Sequence, residues 1–385
     1  MKLSKLASQI PPSGIRAFFD LVLGMKDVVS LGVGEPDFVT PWNIRESAIY
    51  SLEEGYTSYT SNKGLLELRN DISRYLMHKY GLEYEPEEEM LITAGVSEGF
   101  DLAVRAIVNK GDGILIPEPS YVSYAPIVTM CGGRPVLMRT TPENEFKITA
   151  KELNKYCDGR TRGLILNYPN NPTGATYSKS ELKDISKVVM KKNLIVISDE
   201  IYCDLTYDFG HTPFPSLSRM KERTIYLNGF SKAFAMTGWR IGYACGPEKV
   251  IALMTKIHQY TMMCVSITSQ IAAREALKNG ERSVQEMKRE YKRRRQFIVP
   301  ALNEIGLTCH KPEGAFYAFP SIKGTGLTSM EFARALLKKE KVAVVPGTAF
   351  GPSGEGYIRI SYASSLDNLK EAVNRIKHFL SDLKK

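Results

Sequence analysis

Strand-like and helix-like patterns alternate between about residues 88 and 246, and this alternation constrains the possible fold most strongly. The short apolar runs Met90–Thr93, Gly163–Leu166, Leu194–Ser198 and Thr224–Asn228 are typical of strands buried on both faces. Strands that alternate with helices form parallel sheets, because each crossover returns the chain to the same edge. The sequence therefore predicts an α/β domain with a mostly parallel sheet and helices on both faces.

The sequence after Pro247 predicts a second, smaller unit. A long helical pattern from Glu281 to about Glu304 leads into it. Further patterns follow: strands at Ala315–Phe319, Val342–Val345 and around Arg359, and helices from Ser329 and Leu366. We predict a small α+β domain of residues 13–45 and 282–385, a large domain of residues 46–281, and an N-terminal arm of residues 1–12.

Composition excludes several classes of protein. The 385 residues are 43% hydrophobic and 24% charged, which is typical of globular proteins. No stretch approaches the ~18 apolar residues of a membrane helix, and the N-terminus lacks the apolar core of a signal peptide. Six cysteines and five histidines are scattered without metal-binding spacing. We therefore expect a cytoplasmic protein with reduced cysteines, no metal and no membrane partner.

The chain carries a formal net charge of +9. Its densest basic cluster, Lys288–Arg295, lies in the predicted 281–304 helix and has acidic residues nearby. Aromatic interleaving of the kind that stacks on bases is absent. We interpret the cluster as a solvated helix face and predict no nucleic-acid partner, although excess positive charge favours anionic small molecules.

The segment Ser231–Tyr243 follows the 224–228 strand and contains a lysine and an arginine. Lys232, in a short loop, needs burial or a neighbouring positive charge to attack a carbonyl near neutral pH. Arg240 offers a fixed fork of donors that suits a phosphate. An isolated Ser-Lys pair is usually a surface feature. Together, however, the two residues suit pyridoxal phosphate, an aldehyde that carries a phosphate.

Asp199 ends the apolar run Leu194–Ser198. It should therefore lie at the carboxyl end of a buried strand, where open α/β sheets bind ligands. One interpretation is that Asp199 caps the following helix. The other is that it pairs with a pyridinium nitrogen, while Tyr202 gives its phenol to the ring hydroxyl.

Three further segments carry candidate ligand-binding residues. Asn171 lies in a turn after a buried strand. Gly95, Val96 and Ser97 bridge a strand and a helix, where free backbone amides can bind a phosphate. Arg359 lies in an apolar strand pattern and, if buried, needs an anion, which is either a structural carboxylate or that of a substrate.

In this order, the motifs resemble those of fold-type I pyridoxal-phosphate enzymes, specifically the class I/II aminotransferases of the aspartate/aromatic type. The resemblance covers nearly the whole chain, from Leu31–Phe38 and Tyr59–Gly64 to Arg359. It implies a seven-stranded type of mostly parallel sheet in the large domain, a smaller α+β domain, and a homodimer with shared active sites.

The resemblance also implies a role for each candidate residue. Lys232 forms an imine with pyridoxal phosphate, and the ring is contacted by Asp199, Tyr202, Asn171 and Tyr121. The phosphate is held by Gly95, Val96, Ser97, Ser231, Arg240 and, across the dimer, Tyr59. The substrate α-carboxylate is held by Arg359, Asn171 and the backbone at Gly34. Arg16 lies in an arm segment that closes over the substrate.

The implied reaction moves the α-amino group of an amino acid to a 2-oxo acid such as 2-oxoglutarate, in a ping-pong cycle. Ser97 stands where some aspartate-preferring relatives have a lysine, so we expect aromatic or other large donors, with aspartate as the competing candidate. Gly229 stands where some relatives have a phosphate-binding hydroxyl. The resemblance also suggests cis peptide bonds at Glu118–Pro119 and Asn171–Pro172.

Three other functions are alternatives to an aminotransferase. A pyridoxal-phosphate-dependent β-lyase shares every motif and stays an alternative. A nicotinamide dehydrogenase is disfavoured, because Gly32–Asp37 has an aspartate in place of the third glycine of GxGxxG. A non-catalytic regulator with this fold would normally add a DNA-binding module, for which the chain has no room.

Overall fold

The computed structural model describes residues 2–12, 14–15 and 24–383 of the chain. Its strands are β1 (Val29–Ser30), β2 (Met90–Thr93), β3 (Gly113–Glu118), β4 (Arg134–Arg139), β5 (Thr161–Asn167), β6 (Ile195–Asp199), β7 (Thr224–Gly229), β8 (Gly242–Cys245), β9 (Tyr317–Ala318), β10 (Val342–Ala343), β11 (Val345–Pro346) and β12 (Ile358–Ser361). Its α-helices are α1 (Lys5–Ser8), α2 (Trp42–Glu53), α3 (Leu66–Tyr80), α4 (Val96–Ile107), α5 (Tyr124–Met130), α6 (Ala150–Tyr156), α7 (Lys179–Lys191), α8 (Glu248–Thr261), α9 (Ile267–Asn279), α10 (Glu281–Glu304), α11 (Ser329–Glu340) and α12 (Leu366–Asp382).

Seven strands form one large sheet in the order β2-β8-β7-β6-β5-β3-β4. Neighbouring strands are parallel except where β8 pairs with β2 and β7. Strands β2, β7 and β8 are buried along their whole length, because both faces of the sheet are covered. The predicted mostly parallel sheet is confirmed.

Helices cover the two faces of this sheet. Successive side chains of a strand point to opposite faces, and β3 shows the consequence. Ile114 and Ile116 pack in one apolar cluster with α4 and α8, whereas Leu115 packs in another with α6 and α7. The sheet is thus fixed between two helical layers, and the carboxyl ends of its parallel strands lie at one edge.

A smaller α+β domain is built around two short sheets. Strands β11, β12 and β9 form an antiparallel sheet, and β1 pairs in parallel with β10. Helices α10, α11 and α12 contribute to the apolar cluster of these strands. The predicted strand Val342–Val345 is divided between the two sheets, because the chain changes its hydrogen-bonding partner at Val344. The boundaries of the domains stay predictions.

The packing of helix α10 shows that the interpretation of the basic cluster Lys288–Arg295 needs a correction. The cluster is not simply a solvated face, because Arg294 and Arg295 are buried. Arg294 Nη1 lies 2.8 Å from an oxygen of Asp37, and Arg295 Nη2 lies 2.9 Å from Asp208. Burial of these charges is tolerated because each is paired with a carboxylate. No helix in the described part of the chain is both long and apolar enough to cross a membrane.

Candidate active site

A cavity of about 1090 Å³ lies at the carboxyl ends of β5 and β6, beside the start of α4. The predicted site residues that line it are Gly34, Val96, Ser97, Tyr121, Asn171, Asp199, Tyr202, Ser231, Lys232, Arg240 and Arg359. Gly95 does not line the cavity but lies against Arg240. Tyr59 is 81% exposed and lies outside the cavity. Arg16 lies outside the described residues.

Lys232 lies in the loop between β7 and β8, with its amine inside the cavity. Nζ donates a hydrogen bond of 2.7 Å to the carbonyl oxygen of Gly34. Burial lowers the pKa of Lys232 to about 8, and the positive charges of Arg359 and Arg240 act in the same direction. Lys232 is therefore deprotonated more readily near neutral pH than an ordinary lysine, which is almost fully protonated there.

Asp199 ends strand β6 and is buried. One carboxylate oxygen accepts a 2.6 Å hydrogen bond from the hydroxyl of Tyr124, and the other accepts the amide of Ile201 at 3.2 Å. Burial raises the pKa of Asp199 to about 6. No α-helix starts at this point, so Asp199 is not a helix cap. Among the described residues none forms an ion pair with Asp199, which leaves its charge available to a bound cation.

The start of α4 is open towards the cavity. No side chain caps this helix, so the backbone amides of its first turn are available to an anion. Gly95 has a φ of 79°, and a Cβ there would lie 2.8 Å from Nη2 of Arg240. The positive φ therefore favours glycine, and a Cβ there would also push the end of the flexible Arg240 side chain out of its present position. Ser231 completes this side of the cavity.

Arg359 is only 2% exposed on strand β12. Nη1 donates to Oδ1 of Asn171 at 3.0 Å, and Nη2 donates to the carbonyl oxygen of Gly32 at 2.6 Å. Nε is buried without a partner. No carboxylate of the described residues pairs with Arg359, so the structural alternative is not supported. The arrangement suits the anion of a bound molecule.

Comparisons with known proteins agree with this geometry. The family model "Aminotransferase class I and II" matches residues 26–376. The chain belongs to this family. Over the full length of both proteins, it is 47% identical to an aspartate aminotransferase of Pyrococcus abyssi and 45% identical to the aromatic-amino-acid aminotransferase 2 of Thermococcus litoralis. The crystal structure of an aromatic aminotransferase from Pyrococcus horikoshii is 46% identical, has a TM-score of 0.91, and covers 96% of this chain and 99% of its own.

This aminotransferase depends on pyridoxal phosphate, as the members of its family do. The cavity residues fit that cofactor on their own chemistry. Lys232 is a lysine with a lowered pKa, Asp199 is a buried carboxylate with no ion-pair partner among the described residues, and the uncapped helix start lies near Arg240. These groups suit an aldehyde, a pyridinium nitrogen and a phosphate, respectively.

The structure gives a physical reason for Gly229 in this aminotransferase. Gly229 lies opposite Gly242 in the pairing of β7 with β8. A Cβ at Gly229 would lie 2.9 Å from Cα of Gly242 and 3.0 Å from the carbonyl oxygen of Ile241. A hydroxyl-bearing side chain does not fit there without movement of the backbone.

Two tyrosines that line the cavity were missed by the sequence interpretation. Tyr124 belongs to the same segment as Tyr121, but nothing in the sequence pairs it with Asp199. Tyr317 lies in the Ala315–Phe319 run, and its hydroxyl lies 2.7 Å from that of Tyr202. These contacts join segments that are far apart in sequence, so only the folded structure reveals them.

The peptide bonds before two prolines agree with the prediction. Glu118–Pro119 and Asn171–Pro172 are cis. Tyr168–Pro169, for which no prediction was made, is cis as well.

Proposed function

We propose that this aminotransferase takes its amino group from aromatic or other large amino acids and passes it to a 2-oxo acid such as 2-oxoglutarate. This donor class is supported by the apolar side chains that line the cavity, which are those of Ile10, Ile15, Val122, Ile127 and Met130. Lys232, Arg240 and Arg359 are the only cations among the described lining residues. Among the described lining residues, a second carboxylate therefore finds no charge-assisted contact of its own, which is worth about 1.5–3 kcal/mol. The second carboxylate of 2-oxoglutarate would depend on Arg16, the predicted movable cation.

The proposed catalytic residues are Lys232, Asp199 and Tyr202, of which Lys232 transfers the proton. When bound, pyridoxal phosphate supplies a ring that accepts electrons from the substrate Cα after the proton leaves. Lys232 holds the cofactor between cycles, and its freed amine accepts and returns the Cα proton. The pKa of about 8 suits this task, because the amine is a strong enough base and is partly deprotonated near neutral pH.

The remaining cofactor contacts are proposed from the family resemblance and from the chemistry of the side chains near the cavity. Asp199 holds a negative charge at the ring nitrogen, and the hydroxyl of Tyr124 fixes the direction of its carboxylate. Tyr202 and Asn171 would hold the ring hydroxyl, and Tyr121 would lie against the ring face. The phosphate contacts are Gly95, Val96, Ser97, Ser231 and Arg240.

Arg359 is the proposed site of the substrate α-carboxylate. Asn171 and the carbonyl of Gly32 hold its guanidinium in place, and its charge has no carboxylate partner among the described residues, which supports an anion from the substrate. Asn171 is near enough to share the carboxylate. The carbonyl oxygen of Gly34 is an acceptor, as is a carboxylate, and it already accepts from Lys232; only the amide of Gly34 can therefore bind the carboxylate. Fixing the carboxylate orients the Cα–H bond towards the base.

We also propose that two copies of the chain form a dimer. Tyr59, Tyr260, Met262 and Met263 expose large apolar side chains. Asn62 Nδ2 donates to the carbonyl oxygen of Met263 at 2.7 Å and thus joins the two segments that carry them. Such an exposed apolar surface is typical of an interface. A twofold axis there would bring Tyr59 to the phosphate of the partner's cofactor. Arg16 as a movable cation and a cytoplasmic location stay predictions.

A panel of amino donors tests the proposal. With 2-oxoglutarate as acceptor, we expect kcat/KM for phenylalanine and tyrosine to equal or exceed that for aspartate. Asparagine is the matched control for the charge of the aspartate side chain, because it has nearly the same shape and no carboxylate there. A preference for aspartate over phenylalanine and tyrosine of about a hundredfold, or about 2.7 kcal/mol, would refute the assigned donor class. Parallel double-reciprocal plots are expected for the ping-pong cycle, and intersecting plots would contradict it.

A further inference from the structure

Tyr317 contacts both the carboxylate side and the cofactor side of the cavity. It lies on β9 and pairs with Ser361 of β12. Arg359 is two residues before Ser361 and therefore shares its face of the sheet, diagonally across from Tyr317. The side chain of Tyr317 is buried and lines the cavity.

The ring of Tyr317 packs against the guanidinium of Arg359. Cζ of Arg359 lies 4.4 Å from the centroid of this ring and 4.9 Å from that of Phe350. Together with the hydrogen bonds of Arg359 to Asn171 and Gly32, these contacts restrict the guanidinium in both direction and position. A cation over an aromatic face is also attracted electrostatically, most strongly where water is excluded.

The hydroxyl of Tyr317 reaches the other side of the site. It lies 2.7 Å from the hydroxyl of Tyr202 and donates at 3.4 Å to the carbonyl oxygen of Gly34. Lys232 donates to the same carbonyl. A Cβ at Gly34 would lie 2.9 Å from the hydroxyl of Tyr317, so the glycine makes room for this contact.

We propose that Tyr317 is a positioning residue for transamination, which holds Arg359 through its ring and Tyr202 through its hydroxyl. This inference rests on the proposed roles of Arg359 and Tyr202. The two functions of the side chain are separable. Tyr317→Phe removes only the hydroxyl, whereas Tyr317→Leu removes the aromatic face as well.

Each variant has its own expected result in the holoenzyme. α-Methylphenylalanine has no Cα proton, so its titration by absorbance measures binding without turnover. Tyr317→Phe should bind it within about twofold of the wild type, because the ring stays. Tyr317→Leu should bind it about fivefold more weakly, because the cation loses an aromatic face.

The hydroxyl has a spectroscopic signature that a purely structural role would not change. The hydroxyl of Tyr317 has one proton, which it can donate either to Gly34 or to Tyr202. When Tyr202 donates to the cofactor ring oxygen, Tyr317 would donate to Tyr202 and make it a better donor. In Tyr317→Phe, the pKa of the resting enzyme's absorbance should therefore move upwards, and kcat should fall by roughly tenfold. Tyr362→Phe is the matched control, because it removes another buried hydroxyl, which donates to the carbonyl oxygen of Ala315 away from the cavity.

The outcomes distinguish this inference from the function on which it rests. If Arg359→Gln leaves the binding of α-methylphenylalanine unchanged, the carboxylate role of Arg359 is wrong and the inference fails with it. If Arg359→Gln weakens binding but Tyr317→Leu does not, only the role of the Tyr317 ring is overturned. If Tyr317→Phe shifts the absorbance pKa no more than Tyr362→Phe does, the role of the hydroxyl is overturned.

Discussion

Replacement of Asp199 by asparagine should stabilise the apoenzyme while it removes activity. Asp199 is buried, and burial raises its pKa from 3.8 to about 6. A raised carboxyl pKa means that the folded protein disfavours the charged form relative to the unfolded chain. This difference of about two units corresponds to about 3 kcal/mol above the folded-state pKa.

The size of the destabilisation by the Asp199 charge depends on pH in a defined way. The destabilisation by the Asp199 charge is absent below the unfolded pKa of 3.8, grows as pH rises, and is complete above about 6. Asparagine carries no charge at any of these pH values. The free energy of unfolding of Asp199→Asn relative to the wild type should therefore increase by about 2 kcal/mol between about pH 4.5 and about pH 7.5. If asparagine fails to make one of the hydrogen bonds of Asp199, the free energy of unfolding of the variant falls by the same amount at both pH values. The difference between the two pH values is then unchanged.

Urea unfolding of the cofactor-free proteins, at one protein concentration and two pH values, measures this difference. Asp208→Asn is the control, because its wild-type carboxylate is bound by Arg295 and Lys311, which lower its pKa. Asp208→Asn should be less stable than the wild type by nearly the same amount at both pH values, because a lowered carboxyl pKa changes stability with pH only around and below the unfolded value of 3.8. A relative stability of Asp199→Asn that stays constant or falls between the two pH values would refute the reasoning.

Two further predictions test the dimer and the large sheet. Mixing Tyr59→Ala with Lys232→Ala subunits should give hybrids with one intact site and activity well above that of either parent; the absence of this gain would count against a shared site. Gly229→Ser should lower the free energy of unfolding by about 1–3 kcal/mol, because its Cβ would lie 2.9 Å from Cα of Gly242. If Gly229→Ser has the wild-type free energy of unfolding in urea, β7 and β8 accommodate the added side chain without strain, and this prediction is wrong.

The strands of the large sheet could be predicted because burial on both faces leaves a continuous apolar run. The run before Asp199 also located this acid at the carboxyl end of a strand, and the structure places it in the cavity. Lys232 and Arg240 could be selected because their chemistry is unusual in combination. The structure brings both to that cavity.

Contacts between distant segments could not be predicted in the same way. The approach of Tyr317 to Arg359 depends on the pairing of β9 with β12, which no local pattern specifies. The burial of Arg294 and Arg295 depends on carboxylates at Asp37 and Asp208, which lie far away in sequence. A helical pattern indicates where the charges lie on the helix, but it does not indicate what packs against them.

The most direct test of the account is the covalent attachment of the cofactor. Reduction of the holoenzyme with sodium borohydride, followed by digestion and mass analysis of the peptides, should locate the cofactor on Lys232. Lys232→Ala should show no such peptide and no turnover of any donor. A cofactor linked to another lysine, or transamination by Lys232→Ala at the wild-type rate, would contradict the central assignment.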